Sequence, residues 1–583
     1  MKKKYFFTTF LAVLGFAANA QIFVNSSATG ANNGSSWSNA YTNLQDALLD
    51  APANASIWVK AGTYAPSIEI IEGDARSRAF FIASDVKLYG GFNGTETQLE
   101  QRNFTANVTT LSGDFNNDDL DTNGDGISDI NYQENAYTVF LNFEVGASSV
   151  IDGFTVTGGV ANGDYEYVVN GIEISTSNGG GMHNLESALT IRNMKFIDNY
   201  ASFGGAMYNS GGTPKIYDSE LNYNQAAYGG AVYSNWSCIF TAQNCDFFFN
   251  NFTGGTVGAV NQSVSMISDS YFAYNTGAYG GAIYNNIGTC ILQNVKISNN
   301  IVTASGGGIY NVNSSVANLY NVLINNNQAD NGGGIYDNES YSKLTNVTIV
   351  NNEALQKGGG MYCTLSMDNL NTRIYNSIIW GNSSTSNIYD SIYYTYFAQE
   401  DVHIRNSIIE HSGGSSNWNT AYGDNMGSNL DVDPQFVNPD NEDFTLQPTS
   451  PGLNSSYNQF LTLPNGANSW TAADKDANGY SRLQGSGVDR GALEAGGLLG
   501  TGHFAAGLNI SFNNPVKQGE NLVISTTAEL ANTAEVYDVN GKKVSSVTLS
   551  ANNEISTNGL SQGMYFVRLS ADNNPFTIKL IVR

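Results

Sequence analysis

The chain has 583 residues, of which only 13% are charged, and a formal net charge of −26. So few charges exclude long solvated helices and coiled coils. So acidic a balance excludes a nucleic-acid or anionic-membrane partner, each of which calls for basic patches, and is compatible with divalent cations and a soluble extracellular surface.

Lys2, Lys3 and Lys4 precede an apolar run from Tyr5 to Ala18, and Ala18-Asn19-Ala20 closes it. A basic start, a short apolar core and an A-x-A site read as a secretory signal peptide over 1–20, with a mature start at Gln21. No other segment reaches transmembrane length. Residues 22–24 read as a first strand. Asn43 to Ala51 read as an amphipathic helix, with Leu44, Ala47, Leu48 and Ala51 on one face and Thr42 as N-cap. This helix is expected to cap the N-terminal end of a stack of strands; the alternative is an ordinary surface helix. Strand-like segments follow at 56–60, 79–82, 86–92, 108–111, 137–143 and 150–157.

Between them lies an acidic insert, GDFNNDDLDTNGDGISD at 113–129. Asp121, Asn123 and Asp125 occupy positions 1, 3 and 5 of a loop with Gly126 at 6 and Asp129 at 9. Oxygen ligands at alternate positions around a Gly turn are the pattern of a calcium loop. Position 12 is Tyr132 rather than an acid, and Glu134 comes two residues late. Calcium held here would stiffen the insertion; the alternative is a solvated acidic loop.

From Gly179 one phrase returns: GGGMHN, GGAMYN, GGAVYS, a degenerate VGAVNQ, GGAIYN, GGGIYN, GGGIYD and GGGMYC. Successive copies are 25, 25, 28, 23, 26, 26 and 26 residues apart. An apolar residue followed three positions later by Asn recurs in phase with it, ending at Asn199, Asn224, Asn250, Asn275, Asn300, Asn327 and Asn352. A fixed period of this size means stacked repeats. Each unit holds about three short strands, so the fold class is all-β, a right-handed parallel β-helix. About a dozen coils are expected between 56 and 412, a rod about 55–60 Å long at the usual strand spacing. Gly-Gly supplies a corner, the aliphatic position faces in, and the Asn column bonds up and down the stack. Tyr208, Tyr233, Tyr284, Tyr310, Tyr336 and Tyr362 then form an outer column, with His183 in phase. Aromatic faces with polar tips suit sugars or protein partners; the alternative is a self-stacking ladder.

GGA(I/V/M)Y paired with FxxN resembles the repeats of the chlamydial polymorphic outer membrane proteins. The wider chain is similar to secreted bacterial β-helix proteins of the pectin-lyase-like superfamily. NSIIWGN at 376–382, DPQFVNPDNEDFTLQPTSPGLN at 433–454 and VDRGALE at 488–494 resemble that group's closing segment, here 413–495 of a β-helix domain at 21–495. The resemblance speaks for fold and not for activity.

Residues 496–507 read as a Gly-rich linker. After it come candidate strands at 523–525, 534–539, 543–549, 564–569 and 576–582, with an Asn540-Gly541 hairpin signal. They suggest a small Ig-like β-sandwich over 508–583. Asn514-Pro515-Val516, YDVNGKKV at 537–544, LSQGMYFVRL at 560–569 and KLIVR at 579–583 resemble the type A C-terminal sorting domain of type IX secretion, although FNNP stands where a YPNP-like start is usual. The resemblance implies contact with that machinery, export across the outer membrane of a Gram-negative bacterium and removal of the domain.

No catalytic motif is visible. Lys195, Lys215, Lys296, Lys343 and Lys357 share no single repeat phase, Arg192, Arg373 and Arg405 are sparse, and the four His form no motif. Asp152, Asp164, Asp198 and Asp218 read as turn residues. Cys238, Cys245, Cys290 and Cys363 have no metal-site spacing; they read as small buried strand residues, with a disulfide as the alternative. The reading is a secreted or surface β-helix protein that binds glycans or other cells without catalysis. The alternative is a polysaccharide lyase or glycoside hydrolase, which requires acidic and basic groups to converge on one groove.

Overall fold

The computed structural model describes residues 21–582 except 125, 170–171, 365–371, 386–389, 396–401, 459–462, 464–468, 472, 484–486, 496–509, 513–515, 527–529, 531–532, 539–542, 551 and 572–573. The expected signal peptide, linker and Asn540-Gly541 turn lie outside these residues.

The chain winds into a parallel β-helix with three walls. A 24-stranded sheet forms a long wall, an 11-stranded sheet carries the Gly-Gly-x-x-Tyr phrases, and a nine-stranded sheet closes the coil. Each strand pairs in register with its counterpart one coil on, as Ile283–Asn286 does with Ile309–Val312. The third wall first appears at Val160–Ala161. Its nine strands set a ceiling on complete coils below the dozen expected, because the earlier turns spend that stretch of chain on loops and on the acidic insert.

The repeated phrase follows from sterics. Gly306 has φ +70, which a Cβ disfavours. A Cβ on Gly307 would lie 2.1 Å from the Gly333 carbonyl oxygen of the next coil. The first Gly turns the chain and the second lets the coils stack. Two positions on, Met207, Val232, Ile283, Ile309, Ile335 and Met361 are fully buried in the central core.

The Asn column is a continuous ladder. Asn250 Nδ2 donates to Asn275 Oδ1 at 3.1 Å, Asn275 to Asn300 at 2.8 Å, Asn300 to Asn327 at 2.8 Å, Asn327 to Asn352 at 2.9 Å and Asn352 to Asn382 at 3.0 Å. A second ladder runs inside the tyrosine wall through Asn285, Asn311 and Asp337. Asp198, at φ +55, is a turn residue as expected, whereas Asp218, at φ +50, lies within the strand Lys215–Asn222. Asp152 is different: it pairs with Arg102 at 2.7 Å.

The helix spans Leu44–Asp50, and Leu44, Ala47 and Leu48 join the central core at its N-terminal end. Its N-cap is Asn43, whose side chain accepts from the Gln45 N–H, and not Thr42 as expected. The Thr42 hydroxyl is engaged elsewhere, donating to Asn32 Oδ1. All four cysteines are free and buried, and burial pushes the Cys238 and Cys290 thiols up to about 12.

The closing segment packs Phe436, Phe444, Leu446 and Leu493 on outward Leu323, Val350, Ile378 and Ile408 of the long wall. It is knotted by buried Arg482, 3.3 Å from Glu494, and by Asp489, which accepts the Asn454 and Ala495 N–H groups. Beyond it, three and four antiparallel strands form two small sheets around Val516, Leu522, Ile524, Val536, Val567 and Leu580.

Candidate functional site

The tyrosine column forms in register along its wall. Ring centroids are 5.8 Å apart at 9° for Tyr208 and Tyr233, 5.7 Å at 15° for Tyr284 and Tyr310, and 5.3 Å at 16° for Tyr310 and Tyr336. Gly258 interrupts it between Tyr233 and Tyr284. At the far end the Tyr336 and Tyr362 rings meet edge to face, at 4.9 Å and 85°. His183 abuts Tyr208 at 4.9 Å and is itself buried. Near-parallel rings one coil apart turn their faces to each other along the axis. Tyr208 and Tyr233 are buried beneath Phe203 and Tyr228 and are not the outer surface expected, while Tyr284, Tyr310, Tyr336 and Tyr362 are half-buried and meet solvent in part; the stacked faces contribute dispersion to the rod. Burial, with Tyr362 and Tyr310 close by, pushes the Tyr336 hydroxyl up to about 12.

In the acidic loop, Asp121 Oδ1 accepts from the Gly124 N–H at 2.6 Å and Oδ2 from the Gly126 N–H at 2.9 Å. Asp129 accepts from the Thr122 hydroxyl at 2.6 Å. Asn123 is exposed on the same loop, and Asp125 lies outside the described residues. Ser128 ties the loop to the rod through Asp198, at 2.9 and 2.6 Å.

The long wall holds a constellation that the sequence reading missed. Outward Lys343 pairs in register with Arg373, and Arg373 with His403. Arg405 stands beside His403's strand neighbour Ile404 and opposite Tyr375. Three consecutive coils thus carry a column of cationic groups flanked by aromatics. Lys343 Nζ is 5.3 Å from the Tyr341 ring centre, and the Arg405 guanidinium is 4.7 Å from that of Tyr457. Lys343, Arg373 and Arg405 enter no ion pair found among the described residues; His403 has Asp424 at 4.0 Å. Arg373 Nε is shut off from solvent with no hydrogen-bond partner among the described residues. Burial and the nearby Arg373 charge hold the Lys343 ammonium below its ordinary value. Lys343, Arg373 and His403 are each thirty residues apart, whereas the coils from Thr190 to Lys343 take 25 to 27. That regular 30-residue spacing is the signal that could have found the column.

The model for the secretion system C-terminal sorting domain matches residues 512–583. These residues are a type IX sorting domain. The chain is therefore directed to the type IX machinery and to the cell surface or the extracellular space. No helix among the described residues is long and apolar enough to cross a membrane. A search of curated proteins finds no match. Among solved structures, the chain is similar to pectate lyase Pel9A, at 12% identity and a TM-score of 0.38, over 82% of this chain and 97% of that one. It is also similar to tailspike protein gp49 of Acinetobacter baumannii bacteriophage Fri1, a capsular polysaccharide depolymerase, at 10% identity and a TM-score of 0.31, over 96% of this chain and 77% of that one. Likenesses this distant carry no argument about activity.

Proposed function

We propose that this is an exported surface β-helix protein that binds an acidic polysaccharide, of uronate type, along the cationic column of the long wall. The observation that carries the reading is the in-register alignment of Lys343, Arg373 and His403. Coils are about 4.8 Å apart, so the column offers one positive or protonatable group per coil. A polymer with one carboxylate per sugar, lying along the rod axis, matches that rhythm. Arg373 supplies a planar fork for a carboxylate, and Tyr341 and Tyr375 flank the line with apolar surface. In a chain of net charge −26, a line whose Lys343, Arg373 and Arg405 enter no ion pair among the described residues also localises the ligand and keeps it from the rest of the surface. The tyrosine column acts mainly as a ladder that stiffens the rod, with its hydroxyl line as a secondary contact surface.

Affinity electrophoresis of the full chain against polygalacturonate, alginate and neutral glucans tests the reading. Retardation by the acidic polymers, lost when their carboxyl groups are reduced to alcohols, is expected. Equal retardation by neutral polymers, or none by any, overturns it.

One observation favours a second reading, that of a polyuronate lyase. The Lys343 ammonium is held below its ordinary value next to Arg373. In this reading the Lys343 amine takes the C5 proton α to a uronate carboxylate that Arg373 and His403 hold, the C4–C5 double bond forms as the bond from C4 to the glycosidic oxygen breaks, and that oxygen takes a proton from water. Ultraviolet absorbance of an unsaturated product on incubation with polyuronates would replace the binding reading with this one; bound polymer recovered intact excludes it.

A further inference from the structure

The acidic insert carries a second constellation, outside the loop motif that marks it in the sequence. Asp114, Asp118, Asp119 and Glu134 each offer a carboxylate oxygen, and these oxygens all lie within 4.8 Å of one another. Oxygens sharing one calcium ion at roughly 2.3–2.6 Å from its centre are separated by no more than about twice that distance. The four carboxylates enter none of the ion pairs found among the described residues. Arg76 donates to the Asn135 and Val160 carbonyls, and Arg78 pairs with Glu69.

A second observation concerns the neighbouring Asn135. Asn135 is fully buried. Its Nδ2 donates to Asp119 Oδ2 at 2.7 Å and to the Gly158 carbonyl at 2.9 Å, which sets the amide against the cluster. Its Oδ1 is buried with no partner among the described residues, and so are Asp119 Oδ1 and Glu134 Oε1. Two of these acceptors belong to the converging carboxylates and the third to the amide bonded to Asp119, and buried acceptors left unpaired are costly, so a cation would satisfy the carboxylates. Asp114 is already shaped by its loop, accepting the Asn116 and Asn117 N–H groups through Oδ1 and the Asp119 N–H through Oδ2.

We propose that Asp114, Asp118, Asp119 and Glu134 hold one hard divalent cation, of calcium type by the all-oxygen donor set, with the Asn135 amide beside it orienting Asp119. Its place in the fold gives it a task. The insert lies against the start of the third wall: the Val160 N–H donates to the Ala136 carbonyl, the Ala136 N–H to the Gly113 carbonyl, and Asn135 to Gly158. Val160–Ala161 is the first strand of that wall. An uncovered wall edge templates pairing with another chain. The ion draws the two ends of the insert together and pins it over that edge.

The test uses the full chain stripped with EDTA, titrated with calcium chloride by calorimetry and followed by thermal melting. Saturable binding with a raised melting temperature is expected. Asp119→Asn and Glu134→Gln should weaken binding by at least about tenfold, and Asp121→Asn in the neighbouring loop should leave it unchanged. Should a buried variant fail to fold, Asp118→Asn, at an exposed position, provides the same readout. Absence of calcium binding, or binding that Asp121→Asn abolishes and the cluster variants do not, overturns the proposal.

Discussion

Lys343 and Arg373 stand opposite each other on neighbouring coils of the long wall, although thirty residues separate them. The strand register survives the longer coil because the extra residues go into the segment between the strands Met361–Thr364 and Thr372–Tyr375 and not into the wall itself. A wall that tolerates such insertions can change the chemistry of its outer face while its inner face stays a stack of aliphatics.

The Asn ladder is the most costly place to cut the rod. Asn275 Oδ1 accepts from both the backbone N–H and the side-chain amide of Asn250, and its own amide donates to Phe247 and Asn300. Asn275→Ala leaves several buried groups unpaired at once, at about 1–3 kcal/mol each. A loss of about 3–5 kcal/mol, read by denaturant unfolding, is expected; a loss under about 1 kcal/mol would mean that the ladder is passive.

Asp337 occupies a position where the coils before it carry Asn285 and Asn311. Burial raises its carboxyl from 3.8 to about 6, despite hydrogen bonds from Asn311 and Ser342. The folded state therefore holds this proton more tightly than the unfolded chain. Its contribution is fully present below pH 3.8 and is lost as pH rises through about 6. Asp337→Asn removes that loss and should stabilise the protein at pH 7 by at most about 3 kcal/mol. Melting curves at pH 4 and pH 7 should show the gain at pH 7 only.

His183 has the opposite sign. Burial lowers its imidazole from 6.5 to about 3, and Nδ1 has no partner among the described residues. Stability from the neutral ring is present above pH 6.5 and is lost as pH falls toward 3. His183→Phe should flatten the acid limb of the stability profile, by about 3 kcal/mol at pH 4. An unchanged acid limb would show that the ring reaches solvent before the rod unfolds.

The repeat architecture is legible in the sequence because it rests on one-dimensional constraints. Gly at Gly306 and Gly307, Ile at Ile309 and Asn at Asn327 recur wherever a coil must turn, fill and bond, and a period of about 26 residues exposes them. The cationic column was missed because Lys343, Arg373 and His403 follow the longer, 30-residue coils. Measured against the shorter period, they drift out of phase. The acidic cluster was missed for another reason. Asp114, Asp118, Asp119 and Glu134 are brought together by the closing of a loop, and the calcium-type motif between them, from Asp121 to Asp129, drew the eye instead. The helix cap shows the same limit at small scale. Both Thr42 and Asn43 are good N-caps, and only the bond from Thr42 to Asn32 decides between them.

The central claim is that the cationic column binds a polyanion, and titration of the full chain with polygalacturonate at several salt concentrations tests it most directly. Lys343→Ala and Arg373→Ala should each remove a charge-assisted contact worth about 1.5–3 kcal/mol, which is roughly ten- to hundredfold in affinity, and each should lower the dependence on salt. Binding that the Lys343→Ala, Arg373→Ala double variant retains in full, with the same salt dependence, would contradict the account.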